Sequence, residues 1–288
     1  MNGEMPQSFN GAPRPPGTMI TVAPTGAELD AAAVPALPAS LDALVAAGES
    51  CEAAGAAMIH VHVRDGAGRP SLDPALLGAA VAALRRRTGL IVQLSTGGSI
   101  EDGYADRLRV LDVRPDSCSI SMGTVNFGEG VFLNPWPFIV ALHQRARDLA
   151  IVPEYEIFDL GHLANLRRLL DEKGLPHGGR VHCDFVMGVP GGMPGDLATL
   201  AAALQALPPQ VTSWSATGIG KASLPVMLAA LSAGGNLRVG IEDTIHFAVR
   251  RPVRDNAELV GRAADLCALA QRPPMTPAAA RGLLNIAA

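Results

Sequence analysis

In the stretch MIHVHVRD, residues 58–65, two histidines stand two apart inside an apolar run, in a chain of 288 residues with 7 histidines. On an extended strand, residues i and i+2 project to the same face. His60 and His62 can then present two imidazoles to one divalent metal, with a carboxylate from elsewhere as third ligand. Three protein ligands leave coordination positions open for substrate, as a catalytic metal requires. The plainer alternative is a pair of core histidines satisfied by backbone or carboxylate partners. A second constellation lies in RVGIED, residues 238–243. Where a strand turns into its loop, the adjacent carboxylates of Glu242 and Asp243 can serve one site, one as metal ligand and the other as base. Arg238 can hold Asp243 in position and keep it ionised. The alternative here is a solvated acidic pair on a loop.

These residues need elements to position them. Short apolar runs predict strands at 18–23, 57–63, 89–95, 116–122, 151–157, 180–187, 211–217 and 237–243. Ala/Leu-rich stretches predict helices at 40–55, 73–87, 101–111, 135–149, 162–174, 196–207, 223–235 and 256–272. The strands are nearly continuous apolar runs, as expected when both faces are covered. Glycines at 55, 89, 174 and 234 follow helices and are expected to form left-handed caps. Eight such units predict a (β/α)8 TIM barrel, one catalytic domain over 18–288 after a flexible Gly/Pro-rich leader over 1–17. A doubly wound open sheet is the other arrangement, but no GxGxxG follows the first strand.

In a barrel, chemistry gathers at the C-terminal ends of the strands. The expected ends carry Thr25 and Glu28; His60, His62, Arg64 and Asp65; Ser95, Thr96, Gly97 and Gly98; Ser119 and Ser121; Glu154 and Glu156; His182 and Asp184; Ser213, Ser215 and Thr217; then Arg238, Glu242 and Asp243. A purely structural barrel has no need of polar groups on nearly every strand. The turns STGGS (95–99) and PGGMPG (190–195) can offer backbone amides to an anion, although the second reads as ordinary turn chemistry. Asp159 reads as a helix cap. Cys183 has no nucleophile elbow around it and reads as a buried thiol.

A net charge of -4 gives no footprint for nucleic acid or a membrane surface. No run of 18 apolar residues predicts a membrane span, and no secretory segment is expected. The four cysteines form no CxxC pair, so reduced, buried thiols in a cytoplasmic protein are expected. Only 17% of residues are charged, which points to surface covered by partner subunits.

Seven motifs in order, TVAPTGAE, AAGAAMIHVHVRD, VQLSTGG, SMGTVNFG, PEYEIFDLGHL, GVPGGMP and RVGIEDTIHF, resemble the β-keto acid cleavage enzymes, the family of 3-keto-5-aminohexanoate cleavage enzyme, over about residues 18–272. The resemblance implies a zinc-dependent barrel that exchanges a β-keto acid with acetyl-CoA and releases acetoacetate and a new acyl-CoA. It implies zinc (Zn2+) on His60, His62 and Glu242, with Asp243 as base and Arg238 supporting it. It implies substrate contacts from Glu28, Ser95 and Gly98, from either Ser119 or Ser121, and from Glu156. It also implies a cytoplasmic homo-oligomer, with a tetramer favoured. Thr244 stands where the family commonly has Asn, and His246 where an aromatic is frequent; both bear on the substrate. The keto acid's side chain is not set by these motifs, and 4% aromatics show no cage for a quaternary ammonium.

Rival readings come from other chemistries. Metallohydrolases that begin from HxH place it on the first strand and add two later strand-end histidines; here it is on the second, and His182 is the only later strand-borne histidine. A metal-dependent aldolase or lyase shares the metal-enolate logic but needs no acetyl-CoA. A ligand-binding barrel without turnover would leave the strand-end carboxylates idle.

Overall fold

The structure, a computed structural model, describes residues 17–30 and 32–287. The expected leader lies outside them except for Gly17. Eight parallel strands form a closed barrel: β1 (Ile20–Val22), β2 (Met58–Val61), β3 (Ile91–Ser95), β4 (Ser117–Ser121), β5 (Val152–Ile157), β6 (His182–Met187), β7 (Ser213–Gly218) and β8 (Asn236–Val239). Closure is made by Thr21 of β1, which pairs with Met58 of β2 on one side and Arg238 of β8 on the other. Helices α1 (Leu41–Ala53), α2 (Pro74–Arg87), α3 (Tyr104–Arg109), α4 (Trp136–Asp148), α5 (Leu160–Lys173), α6 (Leu197–Gln205), α7 (Ser223–Ala233) and α8 (Asn256–Leu269) follow the strands in turn. This is the predicted (β/α)8 barrel.

The main apolar core lies between strands and helices, where residues such as Ile59, Leu94, Ile120, Phe185 and Leu237 meet Leu44, Leu84, Leu166 and Val260. This is why the strand sequences read as apolar even though the barrel interior is polar. The helix starts follow capping chemistry: Ser40, Asp73, Asp159, Asp196 and Asp255 each accept a first-turn backbone N–H. Asp159 is thus the cap it was expected to be.

Several local expectations are corrected. Gly55, Gly174 and Gly234 have positive φ, but Gly89 does not. α2 ends on Thr88 in an extended conformation, and Gly89 N–H is drawn instead to Glu52 Oε1 at 2.9 Å. The helix expected over 101–111 is α3 followed by a 3-10 turn, Val110–Val113. Its start is delayed because Asp102 turns its carboxylate back to Ser99 N–H at 2.6 Å. The long loop after β4 contains a hairpin, Val125–Phe127 with Gly130–Phe132. A further helix, α9 (Pro277–Leu284), packs Ala280 and Leu284 against Met19, Met58 and Ile91 at the strand starts and closes the lower end of the barrel. Among the described residues no helix is long and apolar enough to cross a membrane. All four cysteines are free and buried.

Candidate active site

The last strand and its turn set the site. After β8 the chain reverses tightly: Asp243 and Thr244 N–H both donate to Gly240 O, at 3.1 and 3.0 Å, and Glu242 N–H donates to Ala23 O at 3.2 Å. A Cβ on Gly240 would lie 1.9 Å from Ala23 O, so only glycine lets β8 and β1 come this close. Gly26, at φ 62°, packs so near Glu242 that a Cβ would lie 2.7 Å from its Cγ. Gly240 thus lets the turn close on β1, and Gly26 leaves the room that the Glu242 side chain occupies. His60 belongs to β2, while His62 lies just past the end of that strand. The two rings stay on one side, with centroids 5.3 Å apart.

The Nε2 atoms of His60 and His62 lie 3.8 and 3.7 Å from Glu242 Oε1. One donor atom from each of the three residues falls within 4.8 Å of the others. Glu242 Oε2 is buried and has no hydrogen-bond partner among the described residues. Burial, with Arg238 adding to it, pushes His60 down to about 4, and burial also lowers His62. Both imidazoles are therefore neutral at pH 7, the form that binds metal. For Glu242, burial works upward, but Arg238, His62 and His60 outweigh it and hold the carboxyl down at about 2. An ionised carboxylate with a free oxygen beside two neutral imidazoles is a donor set suited to a divalent ion such as zinc.

Arg238 is the hub beside it. Its guanidinium bonds Asp243 through Nη2 and Nε, at 3.0 and 3.3 Å, and Glu156 through Nη1 at 3.3 Å, and it also contacts Glu242. Glu156 is on β5 and Arg238 on β8, which are not neighbours, so this contact crosses the barrel lumen. Three carboxylates meet one cation. Burial consequently pushes Asp243 and Glu156 each up to about 7 despite the pull of Arg238.

One layer deeper, a second polar network fills the lumen. His60 Nδ1 lies 2.6 Å from Gln93 Oε1, and the Gln93 amide donates to Glu154 Oε1 and Ser117 Oγ, both at 3.2 Å. Glu154 Oε2 is 3.3 Å from His182 Nε2, and His182 Nδ1 is 2.7 Å from Ser213 Oγ. An amide oxygen can only accept, so Gln93 holds the proton of His60 on Nδ1 and leaves Nε2 free to face Glu242. Glu154 and His182, expected at the rim, thus lie in the body of the barrel.

A cavity of about 510 Å³ opens over the upper layer. It is lined by His60, His62, Arg238, Glu242, Asp243 and Glu156, together with Glu28, Ser95 and Gly98. Ser119 and Ser121 do not line it. Ser121 donates to Glu156 Oε2 at 2.8 Å, whereas Ser119 Oγ is buried without a partner among the described residues. Arg64 turns its Nη atoms to the carbonyls of Gly26, Leu29 and Gly68, so it braces loops, and Asp65 pairs with Arg69 at 2.8 Å. Thr244 and His246 also lie off the cavity wall. Sequence reasoning missed Phe127, Glu129 and Phe132 on the β4 hairpin, and Phe158 and Val189 after β5 and β6, all of them on the wall. Phe127, Phe158 and Val189 sit inside the quoted motifs and Glu129 and Phe132 just past one of them, but nothing in their spacing shows that three loops converge. Gln93 was missed because a single glutamine within an apolar strand carries no pattern.

Fold and site together define a (β/α)8 barrel with a metal-type triad and an arginine-carboxylate cluster at its C-terminal mouth. The chain belongs to the beta-keto acid cleavage enzyme family, whose sequence pattern matches residues 17–286. It is 34% identical over 272 residues to a 3-oxoadipate:acetyl-CoA acetyltransferase of Cupriavidus necator, covering 93% of this chain and 94% of that protein. It is 31% identical over 273 residues to a 3-keto-5-aminohexanoate cleavage enzyme of Acetoanaerobium sticklandii, covering 93% and 98%. A 3-dehydrocarnitine:acetyl-CoA trimethylamine transferase of Rhizobium meliloti is 32% identical over 234 residues, covering 73% and 77%. Among solved structures, apo ObcA superposes with a TM-score of 0.73 at 21% identity, over 88% of this chain and 66% of that one, a likeness of fold. This chain spans about two thirds of ObcA's length.

Proposed function

We propose that this protein exchanges a β-keto acid with acetyl-CoA, releasing acetoacetate and the acyl-CoA of the remaining carbon chain. The observation that carries the reading is the convergence of His60, His62 and Glu242 on one point of the cavity wall, beside an Asp243 held by Arg238. The acetyl-CoA named in two of these relatives supports the cosubstrate. A zinc ion held by His60, His62 and Glu242 would draw charge from the keto and carboxylate oxygens of the substrate and so acidify its α-carbon. Asp243 takes the α-proton, and Arg238, bonded to both oxygens of that carboxylate, fixes its direction. The α-carbon then bonds to the acetyl carbonyl of acetyl-CoA, and CoA thiolate leaves. That thiolate adds to the original ketone carbon, the old C–C bond breaks, and the acetoacetate carbon recovers the proton from Asp243. Glu28, Ser95 and Gly98 contact the keto acid, and Ser121 acts through Glu156. No covalent enzyme nucleophile is required, in keeping with four buried thiols.

The test is metal analysis of the purified protein followed by a screen of β-keto acids with acetyl-CoA, reading acetoacetate and new acyl-CoA. We expect a divalent metal bound in proportion to protein, and product only when both substrates are present. Full activity after stripping with a strong chelator would overturn the metal assignment. Cleavage without acetyl-CoA would move the protein to the lyases.

A further inference from the structure

We infer that the cavity selects against a second carboxylate: within the proposed exchange, on which this inference rests, the chain takes a β-keto acid whose side chain bears no negative charge. Among the described residues the cavity wall carries five carboxylates, Glu28, Glu129, Glu156, Glu242 and Asp243, and a single permanent cation, Arg238. That arginine is already engaged by three of the five. The substrate's own carboxylate has a counter-charge in the metal site; a second carboxylate at the far end of the molecule has none.

The neighbouring buried arginines do not supply one. Arg107 lies behind the wall, 4.7 Å from the centroid of Phe132, and its three nitrogens are directed to Thr96 O, Leu133 O and Asn134 Oδ1. Arg64 is off the wall, with its Nη atoms on backbone carbonyls. Another part of the wall is apolar. Phe132, Phe158, Val186 and Val189 form a buried cluster against which Phe127 and Ile219 pack. Phe127 sits edge-on to both other rings, at 6.2 and 6.3 Å between centroids. Away from the Ser95–Gly98 turn, which the proposed exchange gives to the keto acid itself, an anionic side chain meets either hydrocarbon, where it loses its water without a partner, or the exposed carboxylates of Glu28 and Glu129, which repel it. Either position disfavours it whichever part of the cavity the CoA thioester occupies. The selectivity inferred here is the opposite of that named for the Cupriavidus necator relative.

The experiment compares 3-oxohexanoate with 3-oxoadipate, which differ at the chain end by a methyl group against a carboxylate. Both kcat/KM with acetyl-CoA and the Kd of each acid for zinc-loaded protein by calorimetry are measured. We expect 3-oxohexanoate to be favoured by about 100-fold or more in both quantities. Equal values, or a preference for 3-oxoadipate, overturn the inference. If neither acid is turned over, the Kd ratio alone decides the selectivity, and the exchange reaction stands or falls on the wider screen of β-keto acids. The variant Glu129→Lys separates charge from shape: it should narrow the ratio about tenfold, and an unchanged ratio overturns the electrostatic cause.

Discussion

Two buried polar layers lie one above the other in this barrel, and they are built on opposite principles. The lower one, around Gln93, Glu154 and His182, matches its groups: one carboxylate, one histidine, an amide and three hydroxyls, linked by contacts of 2.7–3.3 Å. Its floor is the apolar contact of α9. The upper layer gathers three carboxylates on one arginine and leaves Glu242 Oε2 without a partner among the described residues. It opens into the cavity. A buried carboxylate excess costs stability unless something positive arrives. The lower layer is therefore a foundation that fixes geometry, and the upper one is a site whose charge suits a cation.

The contrast breaks most sharply at Glu242. Glu242→Gln should abolish stoichiometric metal binding and lower kcat/KM by at least about 10⁴-fold, since several kcal/mol of charge stabilisation disappear. Metal analysis and turnover on the same preparation check it; retained metal with full turnover would remove Glu242 from the ligand set. Asp243→Asn should keep the metal and lower kcat by roughly 10³-fold, as expected for loss of a general base. The measurement is turnover of fully metal-loaded protein, and an undiminished rate would return Asp243 to a structural role. One layer down, Gln93→Leu should weaken metal affinity about 10–100-fold by freeing the His60 ring and its tautomer. Competition with a chromophoric chelator reads this directly. Unchanged affinity would show that the lower layer does not hold the upper one in place.

The fold was legible because eight alternations of apolar run and helical stretch leave few architectures, and because HVH and GIED carry charge where a core should not. Those two motifs lie about 180 residues apart, yet closure of β1 onto both β2 and β8 brings them together. What was not legible followed from convergence of distant loops. Phe127, Phe158 and Val189 come from different loops and line one wall only in three dimensions. α9 carried a Thr276-Pro277 start signal, but it lay beyond the expected last unit. Gly89 looked like a left-handed cap, but nothing local shows that Glu52, from another helix, draws its N–H away. Glu154 and Glu156 have the same spacing as the two histidines, and sequence alone does not say that the first is satisfied in the lumen while the second faces the cavity.

Asp184 tests the boundary between the layers with the smallest effect. It is fully buried on β6, opposite Glu156 and Ser215. Its Oδ2 accepts from Thr217 Oγ1 at 2.6 Å, while Oδ1 has no partner among the described residues. Burial first, then Glu154, push its pKa up to about 6 from the ordinary 3.8, with Arg238 pulling the other way. Between those two values the folded state holds more protons than the unfolded chain, so this group's contribution to stability is full below the lower value and is lost as pH rises through the upper one. Removing the charge should therefore help only where the charge exists. Asp184→Asn is expected to raise unfolding free energy by about 1–3 kcal/mol at pH 8 and to lose that advantage as pH falls toward 4. Urea unfolding of both proteins across that range measures it. A variant less stable by the same amount at every pH would mean that the carboxylate is already matched, and would place Asp184 with the saturated layer below.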